Sequence, residues 1–346
     1  MSVDLNKLVS KQKITLDDLN KKTIAIDAYN MLYQFLSIIR QADGTPLMNK
    51  SGKITSHLSG IFYRASDFIL HGIKPIFVFD GIPSILKQRT IEARIKKRQE
   101  AYEAWNTARE LGKIEEAKSF AQRSTRVNKE IVESAKHLLD LMGIGYLDAP
   151  SEAEAQASYM CKQDLVFAAA SQDYDTILFG SKYVVRNLSI SGKRKLPKKN
   201  IYINIETEIL DLEETKRNLG LNQNQLIWVG LMLGTDFNEG IRGIGPKTSV
   251  KIARQSNSLN EVIDYVKEKY KKDFDFNIKE VEQLFENPEI KKMSEDEIKN
   301  LLDKTISKYE LIDFMCKENN FDISRIEKFA DQLIKIKQHS NQKTLF

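Results

Sequence analysis

The sequence predicts an α/β fold in which helices flank a mostly parallel central sheet. Four short runs of apolar, often β-branched residues read as buried strands. Long helical stretches separate these runs, and this alternation is typical of a parallel sheet. Each run ends in acidic residues: TIAID at Asp27, PIFVFD at Asp80, IGYLD at Asp148, and LVFAAASQDYD at Asp173 and Asp175.

The stretches between and after these strands complete the predicted order of elements. From Ser84 to Leu141 a charged helical pattern is much longer than a crossover between strands needs, so we expect a helical segment that projects from the sheet. A strand pair, YVVRNLSI and IYINI, is predicted on either side of the basic segment SGKRKLPKKN, whose Gly192 and Pro197 mark a loop. From Glu206 onward the pattern is helical, interrupted by GIRGIGP.

Length, hydropathy and cysteine content exclude several classes of protein. The 346 residues suffice for one large domain or about two ordinary ones. No apolar run approaches the roughly 20 residues of a membrane-spanning helix, and the start of the chain lacks the apolar stretch of a signal peptide. With only Cys161 and Cys316, no disulfide framework and no Cys-x-x-Cys metal motif exist. We therefore expect a protein of the cell interior with no membrane partner.

The distribution of charge says more than the net charge of +5, which is too mild to indicate a partner. Basic residues concentrate in a first block from Lys87 to Arg98 and in a second block from Lys193 to Lys199. One basic run is usually a solvated face. Two separate blocks favour a polyanionic partner such as nucleic acid.

Acidic residues are predicted to meet at the carboxyl edge of the sheet, where ligands bind in folds of this class. Carboxylates crowded at one edge repel one another, so cations are their natural counterweight. Oxygen ligands without nearby histidine favour Mg²⁺ or Mn²⁺ over zinc. The predicted metal ligands are Asp27, Asp80, Glu152, Glu154, Asp173, Asp175 and Asp236.

Some of these acids also have a plain structural interpretation. Ser151 and Glu154 have the S-x-x-E spacing of a capping box, and Glu152 suits the same helix start. Residues two apart on an ideal helix point about 200° apart, so whether Glu152 and Glu154 share a metal stays open. Asp173 and Asp175, two apart on an extended segment, would face the same side and bind one cation together.

The other acids have local alternatives as well. Asp27 and Asp80 could end their strands in ordinary turns, and Asp236 could cap the loop it begins. Four strand ends with one chemistry nevertheless favour a common site. Two cations about 4 Å apart can activate a water and stabilise the leaving oxygen during phosphodiester hydrolysis. The chain has no G-x-S-x-G elbow, P-loop or dinucleotide fingerprint, and its four scattered histidines are interpreted as structural.

The segment GIRGIGPKTSVKIA predicts a helix start that binds DNA. Gly243 and Gly245 make tight turns, and Pro246 is suited to the first position of a helix. Such a helix start presents free amides to a phosphate of any sequence, and Lys247 and Lys251 add positive charge. A plain turn between two helices is the alternative.

Four further residues are predicted to act on the nucleic acid. Tyr33 lies one turn after Tyr29 on a predicted helix, where it could stack a base beside the metals or pack in the core. Arg40 is predicted to bind DNA as well. Lys87 and Arg94 lie seven residues apart, hence on one side of the projecting helix, where they could draw the scissile phosphate toward the cations.

Together these motifs resemble the flap endonuclease family, part of the XPG/Rad2-like group of structure-specific 5′ nucleases. IDAYNMLYQFL, FVFDGIPS, APSEAEAQA, SQDYDTILFG and LGTDFNEGIRGIGPK occur in the family's order across essentially the whole chain, and VRNLSISGKRKLP resembles the archaeal branch. The resemblance implies a PIN-like nuclease core, a flexible helical arch and a helix-two-turn-helix that holds duplex DNA. The implied regions are an N-terminal nuclease region at 1–105 with the arch at about 84–128, an internal nuclease region at 129–260 with the helix-two-turn-helix at about 225–256, a C-terminal helical region at 261–336 and a tail at 337–346.

The resemblance also implies an activity. A monomeric enzyme would remove 5′ flaps from branched DNA in Okazaki-fragment maturation and repair, in the cytoplasm of an archaeal cell or the nucleus of a eukaryotic one, and a 5′–3′ exonuclease activity is implied too. Two Mg²⁺ ions, replaceable by Mn²⁺, would do the chemistry. A gap or bubble endonuclease, a 5′ exonuclease and a DNA-binding scaffold without catalysis are the alternatives.

The resemblance assigns roles to individual residues. Lys87 and Arg94 match the arch-base residues that assist the phosphate, Tyr33 matches the aromatic that stacks near the cleaved step, and Asp175 is expected to be essential for catalysis. One metal would lie among Asp80, Glu152 and Glu154 and the other among Asp173, Asp175 and Asp236, with Asp27 supporting the cluster.

The chain departs from the family pattern at both ends and at the base of the arch. Ser2 and Val3 follow Met1 where the family often has Met-Gly, and Ser84 replaces the second proline of D-G-x-P-P. The end of the chain resembles a motif that binds the sliding clamp (PCNA), but it stops one aromatic short, so a frayed end is an equal alternative. The predicted clamp-binding residues are Gln342, Leu345 and Phe346.

Overall fold

The fold is built around a seven-stranded sheet. The computed structural model of the protein describes residues 5–189, 192–195, 202–274 and 277–342. The strands within these ranges are β1 (Ser10–Ile14), β2 (Thr23–Asp27), β3 (Lys74–Phe79), β4 (Gly145–Asp148), β5 (Ala168–Ala170), β6 (Tyr183–Arg186), β7 (Gly192–Lys195), β8 (Tyr202–Ile205) and β9 (Thr207–Asp211).

The central part of this sheet is parallel, as the sequence predicts. The strand order is β1-β9-β6-β5-β2-β3-β4. The strands from β6 to β4 in this order pair in parallel, whereas β9 and β1 add two antiparallel strands at one side. β7 and β8 form a separate antiparallel pair. The predicted α/β class with a mostly parallel sheet is therefore confirmed.

Helices cover the sheet and account for most of the remaining chain. In the described part of the chain, none of them combines the length and apolar character that a membrane crossing needs. The helices are α1 (Ala28–Ile38), α2 (Ser56–Leu70), α3 (Gln88–Glu110), α4 (Ile114–Arg123), α5 (Lys129–Leu141), α6 (Ala153–Lys162), α7 (Asp175–Leu178), α8 (Leu212–Leu219), α9 (Gln223–Leu233), α10 (Pro246–Gln255), α11 (Leu259–Tyr270), α12 (Ile278–Glu286), α13 (Glu295–Leu302), α14 (Lys308–Ile312) and α15 (Ile323–Gln342).

Both faces of the parallel strands are buried, which explains their uninterrupted apolar sequences. Successive side chains of a strand point to opposite faces. In β2, Ile24 and Ile26 belong to a core with α1, α2, α5 and α15, whereas Ala25 belongs to a core with α6 and α13. A third core joins α9, α10, α11 and α12 to β6 and β9. The sheet edge that carries the acids is thus held by three separate cores.

Several details of the strand prediction are wrong. Residues 207–211, which the sequence places in the helical part, form β9. The strand β1 has no counterpart in the prediction, because Ser10–Ile14 is mostly polar and owes its conformation to pairing with β9. The predicted loop at Gly192 is strand β7, which pairs with β8, while Tyr183–Arg186 belongs to the central sheet. The strand predicted before Asp173 covers only Ala168–Ala170. Pro197 lies outside the described residues.

Candidate active site

Three neighbouring parallel strands bring acids to one edge of the sheet. Asp27 ends β2, Asp80 directly follows β3, and Asp173 lies three residues beyond the end of β5. Asp27 also caps α1, because its Oδ1 accepts a hydrogen bond from the Asn30 N–H at 2.9 Å. Asp27 therefore caps a helix where the alternative was an ordinary turn, and its carboxylate still lies at the shared edge.

Helix α6 begins at the same edge because Asp80 holds its first residue. Oδ1 of Asp80 accepts a hydrogen bond from the Ala153 N–H at 2.7 Å. Glu152 immediately precedes α6 and makes no side-chain cap, so the alternative of a capping box from Ser151 to Glu154 is wrong. The acid that stabilises this helix start comes from a different strand, 73 residues earlier.

Two hydroxyl groups that the sequence analysis did not single out orient Glu154. Its Oε1 accepts hydrogen bonds from the Ser171 hydroxyl at 2.6 Å and from the Thr176 hydroxyl at 3.3 Å. Ser171 also accepts a hydrogen bond from the Asp173 N–H at 3.1 Å. The spacing S-x-D-x-D-T at 171–176 is the signal that could have found them, because ligand carboxylates usually receive such outer hydrogen bonds.

The extended segment predicted at Asp173 and Asp175 is wrong, because Asp175 begins a helix, whereas their binding of one cation stays a prediction. The Thr176 hydroxyl donates to the Asp173 carbonyl at 3.0 Å, which closes a turn over residues 173–176. Asp175 is the first residue of α7. Asp175 is only 1% exposed, and its Oδ2 accepts the Asp236 N–H at 3.4 Å. This contact connects the acids after β5 to the acid that follows α9.

The pKa values of three carboxyls show that the acids crowd one another. Burial and the charge of Asp80 raise the pKa of Asp27 well above its ordinary value. Burial and Glu152 raise the pKa of Asp80 to about 6. Burial raises the pKa of Glu154 as well, and Asp173 adds to it. Carboxylates shift in this way when like charges share a site without enough cations.

Two basic residues at the start of α3 neutralise part of this charge. Lys87 forms an ion pair with Glu152, and its Nζ lies 3.5 Å from Oδ2 of Asp236. Nη2 of Arg94 donates to Oδ1 and Oδ2 of Asp236 at 2.6 and 2.8 Å. Ser84 fixes the turn before Lys87, because its hydroxyl accepts the Leu86 N–H at 3.3 Å. The residues predicted to contact phosphate therefore lie directly on the acids.

These ion pairs outweigh the effect of burial on the pKa values of Asp236 and Lys87. Burial alone would raise the pKa of Asp236, but Lys87 and Arg94 outweigh it, and the net shift is downward. Burial would lower the pKa of Lys87, but Glu152 and Asp236 together raise it. The site therefore has a neutralised side at Glu152 and Asp236 and an under-neutralised side at Asp27, Asp80 and Glu154.

The donor set consists of carboxylate oxygens and fits hard divalent cations. In the part of the chain that the structure describes, no three His, Cys, Asp or Glu side chains are already arranged to hold a metal ion. Hydrogen bonds and ion pairs occupy several carboxylate oxygens instead. All candidate ligands are nevertheless carboxylates at one edge of the sheet, and their raised pKa values signal a deficit of positive charge that Mg²⁺ would fill.

The raised pKa of Asp80 predicts a pH-dependent stability of the metal-free protein. Its folded pKa of about 6 exceeds the ordinary value of 3.8, so in that range the folded state keeps a proton that the unfolded chain has released. The free energy of unfolding, measured with urea in EDTA, is expected to fall by about 2 kcal/mol as the pH rises from about 4 to 7. Asp27 and Glu154 shift in the same direction and steepen the fall.

Asp80→Asn is the variant that checks this prediction. Its amide oxygen can still accept the Ala153 N–H, but it has no proton to lose, so the fall with pH becomes smaller than in the wild type. The same pH dependence in both proteins would show that Asp80 does not titrate in this window.

The residues predicted to contact DNA near the acids have partners within the protein. The Tyr33 ring, on α1, lies under the guanidinium of Arg98 of α3, with 5.6 Å between the Arg98 carbon and the ring centroid. Arg40 donates to the carbonyls of Leu36 at 2.6 Å and Gly44 at 2.7 Å, and to the Thr125 hydroxyl at 2.9 Å. A DNA contact of Arg40 stays a prediction.

The glycine-rich segment forms the predicted helix start. Gly243 has a φ of +97°, Gly245 precedes α10 without a side-chain cap, and Pro246 is the first residue of the helix. Nothing lies within 4 Å of a Cβ placed on Gly243 or Gly245, so the backbone there is open to a ligand. Lys247 and Lys251 are exposed beside it.

The ends of the chain are only partly described. Gln342 is the last residue of α15, and its side chain lies outside the described part of the structure. Leu345 and Phe346 of the predicted clamp motif, and Ser2 and Val3, lie outside the described residues.

Comparisons with known proteins agree with this architecture along the whole chain. The family models for the XPG N-terminal domain and the XPG I-region match residues 2–101 and 143–236. The flap endonuclease 1 of Methanosarcina acetivorans is 45% identical, and the alignment covers 100% of this chain and 99% of that protein. The flap endonuclease 1 of Pyrococcus furiosus is 44% identical, over 100% of this chain and 98% of its own length.

Solved structures of similar proteins superimpose on nearly the whole chain. Flap endonuclease-1 from Methanococcus jannaschii superimposes with a TM-score of 0.74 at 35% identity, covering 98% of this chain and 99% of that one. The catalytic core of Rad2 in complex with a DNA substrate superimposes with a TM-score of 0.70, covering 96% of this chain and 100% of that one. At 23% identity, the Rad2 likeness shows the fold alone.

Proposed function

The chain belongs to the flap endonuclease family, and from this premise we propose that it cuts DNA where a duplex meets a displaced 5′ single strand. The observation that carries the proposal is the meeting of seven acids from separate segments at one sheet edge, next to a helix that presents basic residues. Such a site suits a phosphodiester, whose negative charge must be held and whose leaving oxygen must be stabilised.

Divalent cations, with Mg²⁺ as the physiological ion, are proposed as cofactors. One ion would lie among Asp80, Glu152 and Glu154, and a second among Asp173, Asp175 and Asp236, with Asp27 beside Asp80. The contact of Asp175 with Asp236 and the rise that Glu152 causes in the pKa of Asp80 support this division. When bound, the ions supply an activated water and a charge that stabilises the leaving oxygen.

Lys87 and Arg94 are proposed to change partners during the reaction. In the protein without DNA they neutralise Glu152 and Asp236. Arg94 is on the side of α3 that faces the acids, and its side chain is 40% exposed, so a phosphate oxygen can reach it. The positive side chains of Lys87 and Arg94 then stabilise the charge on the phosphate that is being cleaved, and electrostatic stabilisation of this kind is usually the largest single contribution to catalysis.

The remaining basic and aromatic groups are proposed to hold the DNA. Helices α3 and α4 would form the arch under which the 5′ flap passes, and α9 and α10 the helix-two-turn-helix. The open backbone at Gly243 and Gly245, with Lys247 and Lys251, would take a phosphate of the duplex. Tyr33 would stack a base once Arg98 moves away. The tail from Gln342 to Phe346 is proposed to bind a sliding clamp, which would bring a monomeric enzyme to replicating DNA.

A panel of labelled substrates in Mg²⁺ tests the proposal. We expect the 5′ flap to be cut at the junction much faster than a gapped duplex or a blunt duplex, and no substrate to be cut in EDTA. Dominant cleavage of blunt ends would favour the second candidate, a 5′ exonuclease of the same superfamily. Binding of flaps without cleavage in any divalent metal would favour a scaffold that has lost catalysis.

A further inference from the structure

Helices α3 and α4 have a small apolar core of their own. It consists of Trp105 and Ala108 of α3 with Ala117 and Ala121 of α4, and it is separate from the three cores that hold the sheet. This core fastens the two helices to each other. Their position relative to the acids must therefore come from other contacts with the body of the protein.

One set of such contacts uses groups that the proposed function gives to the metal ions and the DNA. Lys87 and Arg94 tie the start of α3 to Glu152 and Asp236, but these acids are proposed ligands of the cations. Arg98 lies on Tyr33, whose ring is proposed to take a base. Contacts that give way to metal and DNA cannot position α3 at the moment of cleavage.

A second set of contacts lies near the C-terminal end of α3 and involves none of the acids proposed to bind the metal ions. The Trp105 indole N–H donates to the Asp43 carbonyl at 3.1 Å. Gly44, next in the loop between α1 and α2, has a φ of +88°, and a Cβ placed on it would lie 2.6 Å from Cβ of Ala121 and 3.2 Å from Nε1 of Trp105. The loop backbone thus rests directly on the core of α3 and α4, at a point where only glycine fits.

Arg40 locks this loop in place. Its guanidinium donates to the Gly44 carbonyl at 2.7 Å and to the Thr125 hydroxyl at 2.9 Å, so it joins the end of α1 to the loop and to the segment after α4. The Ser37 hydroxyl adds a hydrogen bond to the Thr125 hydroxyl at 3.2 Å. These contacts are made within the protein, in the absence of an ion or nucleic acid.

We propose that Arg40, Gly44, Trp105, Ala121 and Thr125, together called the arch mount, are positioning residues for cleavage. The mount fixes the far end of α3, and the rigid helix carries that position to Lys87 and Arg94 when their ion pairs are released. Lys87, Arg94, Arg98 and Trp105 follow at intervals of seven, four and seven residues and so lie on one side of the helix. This inference rests on the proposed function, because it concerns how that reaction is oriented.

Gly44→Ala tests the mount, and Gly52→Ala is its matched control. Gly52 lies in the same connection between α1 and α2 with a similar φ of +78°, but nothing lies within 4 Å of its added Cβ. Both variants therefore carry backbone strain, and only Gly44→Ala pushes on the arch. We expect Gly44→Ala to lower the single-turnover rate on saturating flap by about 10- to 100-fold, because small misplacements of catalytic groups have effects of that order.

Three further measurements separate positioning from a general structural defect. Affinity for the flap should change by less than about threefold, since the DNA-holding groups of α10 are untouched. Amide hydrogen exchange of α3 and α4, in metal-free protein without DNA, should accelerate in Gly44→Ala and not in Gly52→Ala, while exchange in the sheet stays as in the wild type. Adding Ala121→Gly, which removes the clashing Cβ, should restore a part of the rate.

Different outcomes would overturn the inference about the arch mount and the proposed function. A wild-type rate in Gly44→Ala, equal losses in both glycine variants, or unchanged exchange in α3 and α4 would overturn the inference. If Gly44→Ala fails to fold, Trp105→Phe replaces it, since it removes the indole N–H bond to Asp43 and keeps a smaller aromatic ring in the core of α3 and α4. An unchanged rate there would also overturn the inference. Failure of the wild-type enzyme to cut flaps, with the exchange result as expected, would instead refute the proposed function.

Discussion

Replacement of Asp175 by alanine is expected to lower the single-turnover rate of flap cleavage by about 10³-fold or more, because it removes a carboxylate from the proposed metal pair. The side chain is 1% exposed, raises the pKa of Glu154 and accepts the Asp236 N–H. Its loss therefore disturbs two other acids. Flap affinity is expected to stay within about threefold, since removal of a negative charge does not weaken contacts with phosphates.

Asp148→Ala is the control for this experiment. Asp148 ends the neighbouring strand β4 at the same side of the sheet, but it is exposed and pairs with Lys136 at 2.7 Å. It should retain the wild-type rate. Asp175→Asn, which keeps the shape of the side chain and an acceptor for Asp236, should be nearly as slow as Asp175→Ala. Activity of Asp175→Ala within a few fold of the wild type would contradict the metal assignment.

For Arg94→Ala we expect a loss of about 10²-fold or more in turnover with only a modest loss of flap affinity, because its charge acts on the phosphate as it is cleaved. In the protein without DNA, Arg94 lies on Asp236 at 2.6 and 2.8 Å. Removal of this competitor should also tighten Mg²⁺ binding, which calorimetry in the absence of DNA would measure. The turnover should fall while the affinity for Mg²⁺ rises, and a purely structural role of Arg94 predicts neither change.

Arg89→Ala is the matched control, since Arg89 is an exposed arginine of the same helix, five residues from Arg94 and hence on another side of it. It should reduce affinity slightly and leave turnover unchanged. If Arg94→Ala instead kept its turnover and bound the flap much more weakly, Arg94 would belong to the surface that holds the DNA.

The sequence was sufficient to predict the sheet edge because the relevant signals are local. The apolar runs predicted at 23–27 and 75–80 appear as β2 and β3 with little change, and parallel strands place their final acids at a common edge. The helix start at Pro246 follows from proline and glycine preferences alone. In each case the chemistry of a few adjacent residues fixes the conformation.

The remaining features depend on contacts between distant segments. Asp80 caps a helix 73 residues later, and Arg94 pairs with an acid 142 residues away, so neither partner is visible in the local pattern. β1 is a polar edge strand that exists through its pairing with β9. Arg40 is predicted to bind DNA, yet each of its three guanidinium nitrogens donates a hydrogen bond within the protein. The conformations and partners of such residues are determined by tertiary contacts and not by local propensity.

Diffraction from crystals soaked in Mn²⁺, with anomalous scattering to locate the ions, is the most direct measurement. We expect two ions about 4 Å apart at the carboxyl edge of β5, β2 and β3, with oxygens of the acidic residues as their protein ligands. The ion pairs of Lys87 with Glu152 and of Arg94 with Asp236 should be released. Absence of ions at this edge in crystals of enzyme that Mn²⁺ activates, with both ion pairs intact, would contradict the account.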